Sequence, residues 1–127
     1  MLLNELLVLN AERQPAKVAV ETAERSITYD ELAHCVERLA RHLLNRGLGR
    51  GARVAVHWHN SVEMLELLLG VFRAGMVAVP INPRLKAPEI AFILAHSGAR
   101  LCFSEAALAA FVNGVEVVSE LPTRKCE

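Results

Sequence analysis

Apolar residues recur along this chain first at helical and then at strand spacing, and the alternation predicts helix, hairpin and helix, followed by strand, helix, strand, helix, strand. Leu2, Leu3, Leu6, Leu7 and Leu9 fall at helical intervals, and Pro15 closes that segment. "KVAVE" and "SITY" flank the polar "TAER" and predict a short antiparallel hairpin from Val18 to Thr28. Thr28, with Glu31 three residues on, forms a capping box ahead of "DELAHCVERLARHLLNRG". In that helix Leu32, Val36, Leu39 and Leu43 line one face, and Gly47 stops it. A strand at about Arg53 to His57 comes next, and Asn60 or Ser61 caps the helix "VEMLELLLGVFRA", which ends at Gly75. "MVAVP" predicts a second strand, Pro88 opens a further helix ending near Gly98, and "RLCFS" predicts a third strand. "VEVVSE" reads as one more strand and "LPTRKCE" as a polar ending.

Strand–helix–strand–helix–strand order places the chain in the α/β class. It predicts a βαβαβ parallel sheet with strands near Val54, Val77 and Leu101, joined by right-handed crossovers, with the hairpin set apart. On a helical wheel Glu63, Glu66, Gly70 and Arg73 share one narrow stripe, while Val62, Leu65, Leu68, Leu69 and Phe72 cover most of the rest. Such a helix is buried on more than one side. A parallel sheet needs both faces covered, and the predicted helices are too few if the sheet belongs to a larger domain. Uncovered apolar surface and self-association are therefore expected of the isolated chain.

Composition narrows this picture further. The 127 residues are 53% hydrophobic and 5% aromatic, which fits one compact domain or a piece of a larger one. Lysine plus arginine equals aspartate plus glutamate at 14 each, interspersed, so nothing recommends a nucleic acid or an anionic membrane as partner. Cys35, Cys102 and Cys126 are far apart with no C-x-x-C spacing, which suits reduced thiols and a cytoplasmic setting. Glu5 interrupts the apolar start and no basic region precedes it, so the segment reads as an amphipathic helix, and no run approaches membrane-spanning length.

Candidate chemistry is sparse. "GLGRG" at Gly47, Gly49 and Gly51 precedes a strand, whereas a dinucleotide fingerprint follows one and opens a helix. Gly70 and Gly75 have the interval of a phosphate-binding loop, but neither the lysine nor the Ser or Thr follows. His57 and His59 lie two apart at a strand end, so both rings share one face if the strand continues that far. A metal pair there needs a third ligand that no spacing supplies, and the alternative is an exposed strand-to-helix loop. Cys35 and Cys102 read as small buried hydrophobes. The loop "PINPRL" differs, because open parallel sheets bind ligands beyond the carboxyl ends of their strands. Pro80 and Pro83 stiffen it and present Asn82 and Arg84, either as a structural turn or as a ligand contact.

The blocks "ITYDEL", "GARVAV" and "GVFRAGMVAVPINPRLKAPEIAFILAHSGARLCF", in this order, resemble the amino-terminal part of adenylate-forming, AMP-binding ligases. That superfamily comprises acyl-CoA synthetases, luciferases and peptide-synthetase adenylation domains. The resemblance covers roughly Glu5 to Ser119, and "AGMVAVPINPRL" is its most specific part, pointing toward acyl- or aryl-CoA ligases. Ala52 stands where the family often has aspartate, and "HWHN" replaces a more apolar strand end. The resemblance implies that residues 1–127 are an incomplete segment of the large domain of a ligase that uses ATP, Mg2+ and CoA to activate a carboxylic acid. It also implies that Arg84 contacts a phosphate of CoA in the complete enzyme. The family's phosphate loop ending in Pro-Lys-Gly, its adenine and ribose motifs, its magnesium glutamate and its catalytic lysine match no residue here. No catalytic or metal-ligating residue is therefore assigned, no cofactor is assigned to this chain alone, and the chain alone is expected to be inactive. A non-catalytic binding or interaction module that reuses this piece of fold is the alternative.

Overall fold

The computed structural model of the chain describes residues 2–105 and 115–121. Cys126 and all but the first residue of the polar ending lie outside the described residues. Helix α1 (Leu3–Arg13) leads into a hairpin of β1 (Val18–Glu21) and β2 (Ser26–Thr28), followed by helix α2 (Tyr29–Asn45). Then come β3 (Arg53–His57), α3 (Val62–Arg73), β4 (Val77–Pro80), α4 (Ala87–Ser97), β5 (Leu101–Ser104) and β6 (Glu116–Val118).

Local chemistry sets the boundaries. The Thr28 hydroxyl oxygen accepts from the Glu31 N–H at 3.2 Å and opens α2. Of the two candidate caps for α3, Ser61 is the one used, its Oγ accepting from the Met64 N–H at 3.2 Å. Glycines 47, 75 and 98 take positive φ of 78°, 75° and 71° just beyond α2, α3 and α4, a conformation that L residues with a Cβ avoid. The "TAER" turn closes with the Thr22 N–H donating to the Arg25 carbonyl at 2.8 Å.

The main sheet is parallel throughout, in the order β4-β3-β5-β6, and the antiparallel hairpin is separate from it. The fourth strand is the one expected from "VEVVSE". Val54 pairs with Ala78 on one side and Leu101 on the other, so β3 is central and its apolar run is buried from Val54 to His57. Alternate strand residues point to opposite faces. Val54, Val56, Leu101 and Phe103 pack with Leu39 and Leu43 of α2 and with Leu67 and Val71 of α3. Ala55 and Cys102 face the other way and meet Ile90 and Leu94 of α4. A third cluster ties α1 and the hairpin to α2 and α3 through Leu7, Ile27, Leu32, Val36, Val62 and Leu69.

Helix α3 is indeed buried on several sides, and of its polar stripe Arg73 is exposed and Glu63 half-buried while the middle does not face water. Glu66 is 2% exposed and Gly70 is buried. The hairpin supplies the reason for the first, since Arg25 Nη2 lies 2.8 Å from Glu66 Oε1 and 3.9 Å from Glu63 Oε1. Close helix contact supplies the second: a Cβ on Gly70 would stand 2.4 Å from Cδ2 of Leu39.

Candidate functional site

The carboxyl ends of β3, β4 and β5 gather most of the polar side chains singled out in the sequence. His57 is 7% exposed, and its Nδ1 lies 2.9 Å from Ser104 Oγ, its register neighbour on β5. Its Nε2 is buried with no hydrogen-bond partner. A serine–histidine pair invites a nucleophile reading, but Ser104 is fully buried and no acid orients the second ring nitrogen. The pair is a packed polar contact between strands.

His59 does not share the face of His57, because β3 ends at His57 and the chain turns outward. The His59 N–H donates to Glu105 Oε1 at 2.6 Å, and its ring Nδ1 lies 2.6 Å from Oε2. Burial raises the Glu105 carboxyl, but these bonds to His59 outweigh it and hold the group below its ordinary range. The two histidines therefore diverge, and no group of three or more metal-ligating side chains forms among the described residues. Cys35 is half-buried, and burial pushes the Cys102 thiol up to about 11, the behaviour of a packed thiol rather than a nucleophile.

Between the hairpin and these strand ends lies a cleft of about 460 Å³, whose walls include Thr22, Arg25, Trp58, Asn60, Glu63 and Glu105. Its basic groups already face carboxylates, Arg25 those of Glu66 and Glu63 and His59 that of Glu105, and Glu24 adds a further carboxylate to the lining. Such a cleft can hold a polar group, but it leaves no unbalanced cation to stabilise a phosphoryl charge. Sequence spacing missed the wall residues, since Arg25 and Glu66 are 41 positions apart and meet only through the fold. Glu105, directly after the third strand, was findable from its strand-end position alone.

Arg84 stands away from this cleft, on the turn after β4. The Ile81 N–H donates to the Val56 carbonyl at 2.9 Å, and Ile81 is buried, so the turn is anchored beneath. Asn82 braces it from within: its Oδ1 accepts from the Arg84 N–H at 2.9 Å, and its carbonyl accepts from the Leu85 N–H at 3.1 Å. The Arg84 side chain is exposed and makes no hydrogen bond or ion pair among the described residues.

The match that decides the family runs over residues 7–126, nearly the whole chain, to the family model described as AMP-binding enzyme. The chain belongs to that family. The AMP-binding enzymes it resembles are of more than one kind. Over 111 residues it is 39% identical to tyrocidine synthase 2 of Brevibacillus parabrevis, covering 87% of this chain and 3% of that protein. Over 96 residues it is 38% identical to the long-chain-fatty-acid–CoA ligase FadD13 of Mycobacterium tuberculosis, covering 76% of this chain and 19% of the ligase. In structure it matches the amino-terminal subdomain of Klebsiella oxytoca NpsA, solved with 3-hydroxybenzoyl-AMSN, at a TM-score of 0.87 and 28% identity. That superposition covers 98% of this chain and 32% of the NpsA chain. The AMP-binding segment seen here is thus the amino-terminal portion of an adenylate-forming enzyme, and it spans less than a fifth of the length of these two curated relatives. Peptide synthetases and acyl ligases both appear among the matches, so the finer lineage suggested by "AGMVAVPINPRL" is broadened to the superfamily.

Proposed function

We propose that this chain is the amino-terminal portion of an AMP-forming acid–CoA ligase acting on a fatty or aromatic acid. In the complete enzyme a carboxylate oxygen attacks the α-phosphorus of ATP, with Mg2+ balancing charge, and pyrophosphate leaves. The thiol sulfur of CoA then attacks the acyl carbon and AMP leaves. The segment described here contributes a rigid wall to that domain and one contact, Arg84 to a phosphate of CoA. The observation that carries the reading is the turn at Pro80–Leu85, an anchored and Asn82-braced loop at a strand's carboxyl end that presents an unpaired guanidinium. A planar guanidinium fork suits two phosphate oxygens. The 38% identity to a fatty-acid–CoA ligase supports the lineage. The 39% identity to a peptide synthetase favours a second reading, amino-acid activation with a carrier-bound thiol as acceptor. By themselves these residues lack the phosphate-binding groups of the family, and removing even one preorganised donor costs a factor of about 10² to 10³ in rate, so the segment alone is inactive.

The test is a chimera in which residues 7–121 replace the corresponding segment of a full-length acyl-CoA ligase. Exchange of pyrophosphate into ATP, driven by fatty or aromatic acids, supports the ligase reading; exchange driven only by amino acids supports the second. Arg84→Ala in the chimera is expected to raise the apparent KM for CoA by a factor of about 10 or more, the worth of a charge-assisted hydrogen bond, and to spare exchange. An unchanged CoA requirement makes the loop a structural turn.

A further inference from the structure

The inner side of α2, with Val36, Leu39, Ala40 and Leu43, is buried in the core. Arg38, Arg41, His42 and Asn45 recur at i, i+3, i+4 and i+7, so they share a second face of the same helix. That face lines a cleft of about 440 Å³ together with Val118, the last residue of β6, and Glu120 and Leu121 beyond it. The cleft has no residue in common with the one beside Trp58, and Arg84 is not part of it. A cation at the end of a helix ordinarily offsets the partial charge of the last carbonyls, which accounts for Arg46 at the carboxyl cap. Arg38 and Arg41 precede the last turn, where that effect has faded. Contacts nearby decide which groups remain open. Arg46 Nη1 lies 2.6 Å from Glu116 Oε2, and Arg46 Nε donates to His42 Nε2 at 3.0 Å. His42 Nε2 is thus an acceptor, and the single proton of the neutral ring sits on Nδ1 as a donor. Burial, and then Arg46, hold the His42 pKa below its ordinary value, which keeps the ring neutral at pH 7. Arg41 Nε stands 3.9 Å from Glu37 Oε1, too far for a hydrogen bond, and the other oxygen of Glu37 is 3.0 Å from Arg73 Nε.

We propose that this cleft binds a small aliphatic monocarboxylate, its carboxylate held by the guanidiniums of Arg38 and Arg41 and its body laid against Val118. A planar guanidinium takes two carboxylate oxygens at once, and the Asn45 amide adds further N–H donors on the same face. Among the lining residues two guanidiniums against the one carboxylate of Glu120 leave a single positive charge, which matches a monoanion better than a phosphate dianion. No Phe, Tyr or Trp lines the cleft, so an aliphatic body suits it better than one that stacks. The inference stands apart from the ligase reading, because no residue of the Arg84 turn enters the cleft.

Titration of the 127-residue chain with hexanoate at neutral pH, followed by calorimetry and by backbone amide shifts, tests it. Binding is expected to saturate, with the shifts confined to the second half of α2 and to residues 118–121. Hexanamide keeps the body without the charge and acetate the charge without the body, and each is expected to bind more weakly by a factor of about 10 or more. Arg41→Gln is expected to raise the hexanoate Kd by a factor of about 10 or more, and Glu120→Gln, which removes a like charge, to lower it. Both side chains are exposed, so Tm should stay within about 2 °C of the parent. Should Arg41→Gln fail to fold, Asn45→Asp adds a like charge at almost unchanged size and is expected to weaken hexanoate in the same way. Titration without saturation, shifts that map elsewhere, or a Kd unmoved by these substitutions overturns the proposal. Hexyl phosphate binding more tightly than hexanoate overturns the assignment to a monoanion, and acetate binding as tightly as hexanoate overturns the apolar subsite.

Discussion

Gly70→Ala tests the helix contact on which the sheet's larger core depends. Gly70 lies in the middle of α3, where alanine would ordinarily stabilise by about 1 kcal/mol through its better helix propensity. Here the added Cβ would meet Leu39 at 2.4 Å from Cδ2, 2.7 Å from Cγ and 3.0 Å from Cβ. The first two contacts could be relieved by a rotamer change if Leu39 had room, but it is 0% exposed within the core shared by α2, α3 and the sheet. The third involves the Leu39 Cβ, which no rotamer change moves, so the helices must separate. Overpacking of this kind costs about 1 to 3 kcal/mol, and a shift of two packed helices belongs at the upper end. The net expectation is a loss of about 2 kcal/mol. With an unfolding entropy of about 0.27 kcal/mol/K for a chain this long, Tm should fall by about 7 °C. Thermal and urea unfolding of the 127-residue chain measure it, and the two must agree for the two-state treatment to hold. A variant as stable as the parent refutes the close contact. So does a Leu39→Ala background in which Gly70→Ala remains just as costly, since removing Leu39 Cγ and Cδ takes away the two shortest contacts and leaves only the 3.0 Å approach of Cβ, which should lower the cost.

Arg25→Ala removes the guanidinium 2.8 Å from the buried Glu66 carboxylate, and because Arg25 itself is 35% exposed the expected loss is about 1 to 3 kcal/mol, read by urea unfolding; no loss would mean that the hairpin is not pinned to α3. Ser104→Ala takes the hydroxyl from Nδ1 of the buried His57 ring, whose Nε2 already has no partner, and should cost about 1 to 3 kcal/mol, whereas adding His57→Leu should restore most or all of it; a double variant worse than the single one contradicts the pairing. Acidification should destabilise the chain in two steps. Burial, and then the neighbouring Arg46, lower the His42 pKa below its ordinary value, so the unfolded chain takes up that proton first and a small contribution is lost as pH falls below 6.5. The lowered Glu105 pKa acts in the same direction in the carboxylate range. Tm should therefore fall from pH 8 to pH 4, and Glu105→Gln should remove the lower step; a Tm that rises on acidification reverses the assigned signs.

Much of the fold was legible because its signals are local. Helix stops at Gly47, Gly75 and Gly98, the Thr28 cap, and apolar runs of strand length each depend on neighbours within a few residues, and these placed the hairpin and the parallel strands. "PINPRL" likewise announced a stiff turn at a strand end, since proline geometry and the Asn82 side chain act within the loop. Periodicity could also say that Glu63, Glu66, Gly70 and Arg73 share a stripe, but not what lies opposite it. Only the tertiary structure brought Arg25 from 41 residues away to neutralise Glu66, and Leu39 against Gly70, burying the middle of the stripe and leaving Arg73 exposed. The same limit applies to the two histidines. Their spacing permitted a shared face, but the end of β3 at His57 sent one ring to Ser104 and the other to Glu105, because where a strand stops depends on the neighbours with which it pairs.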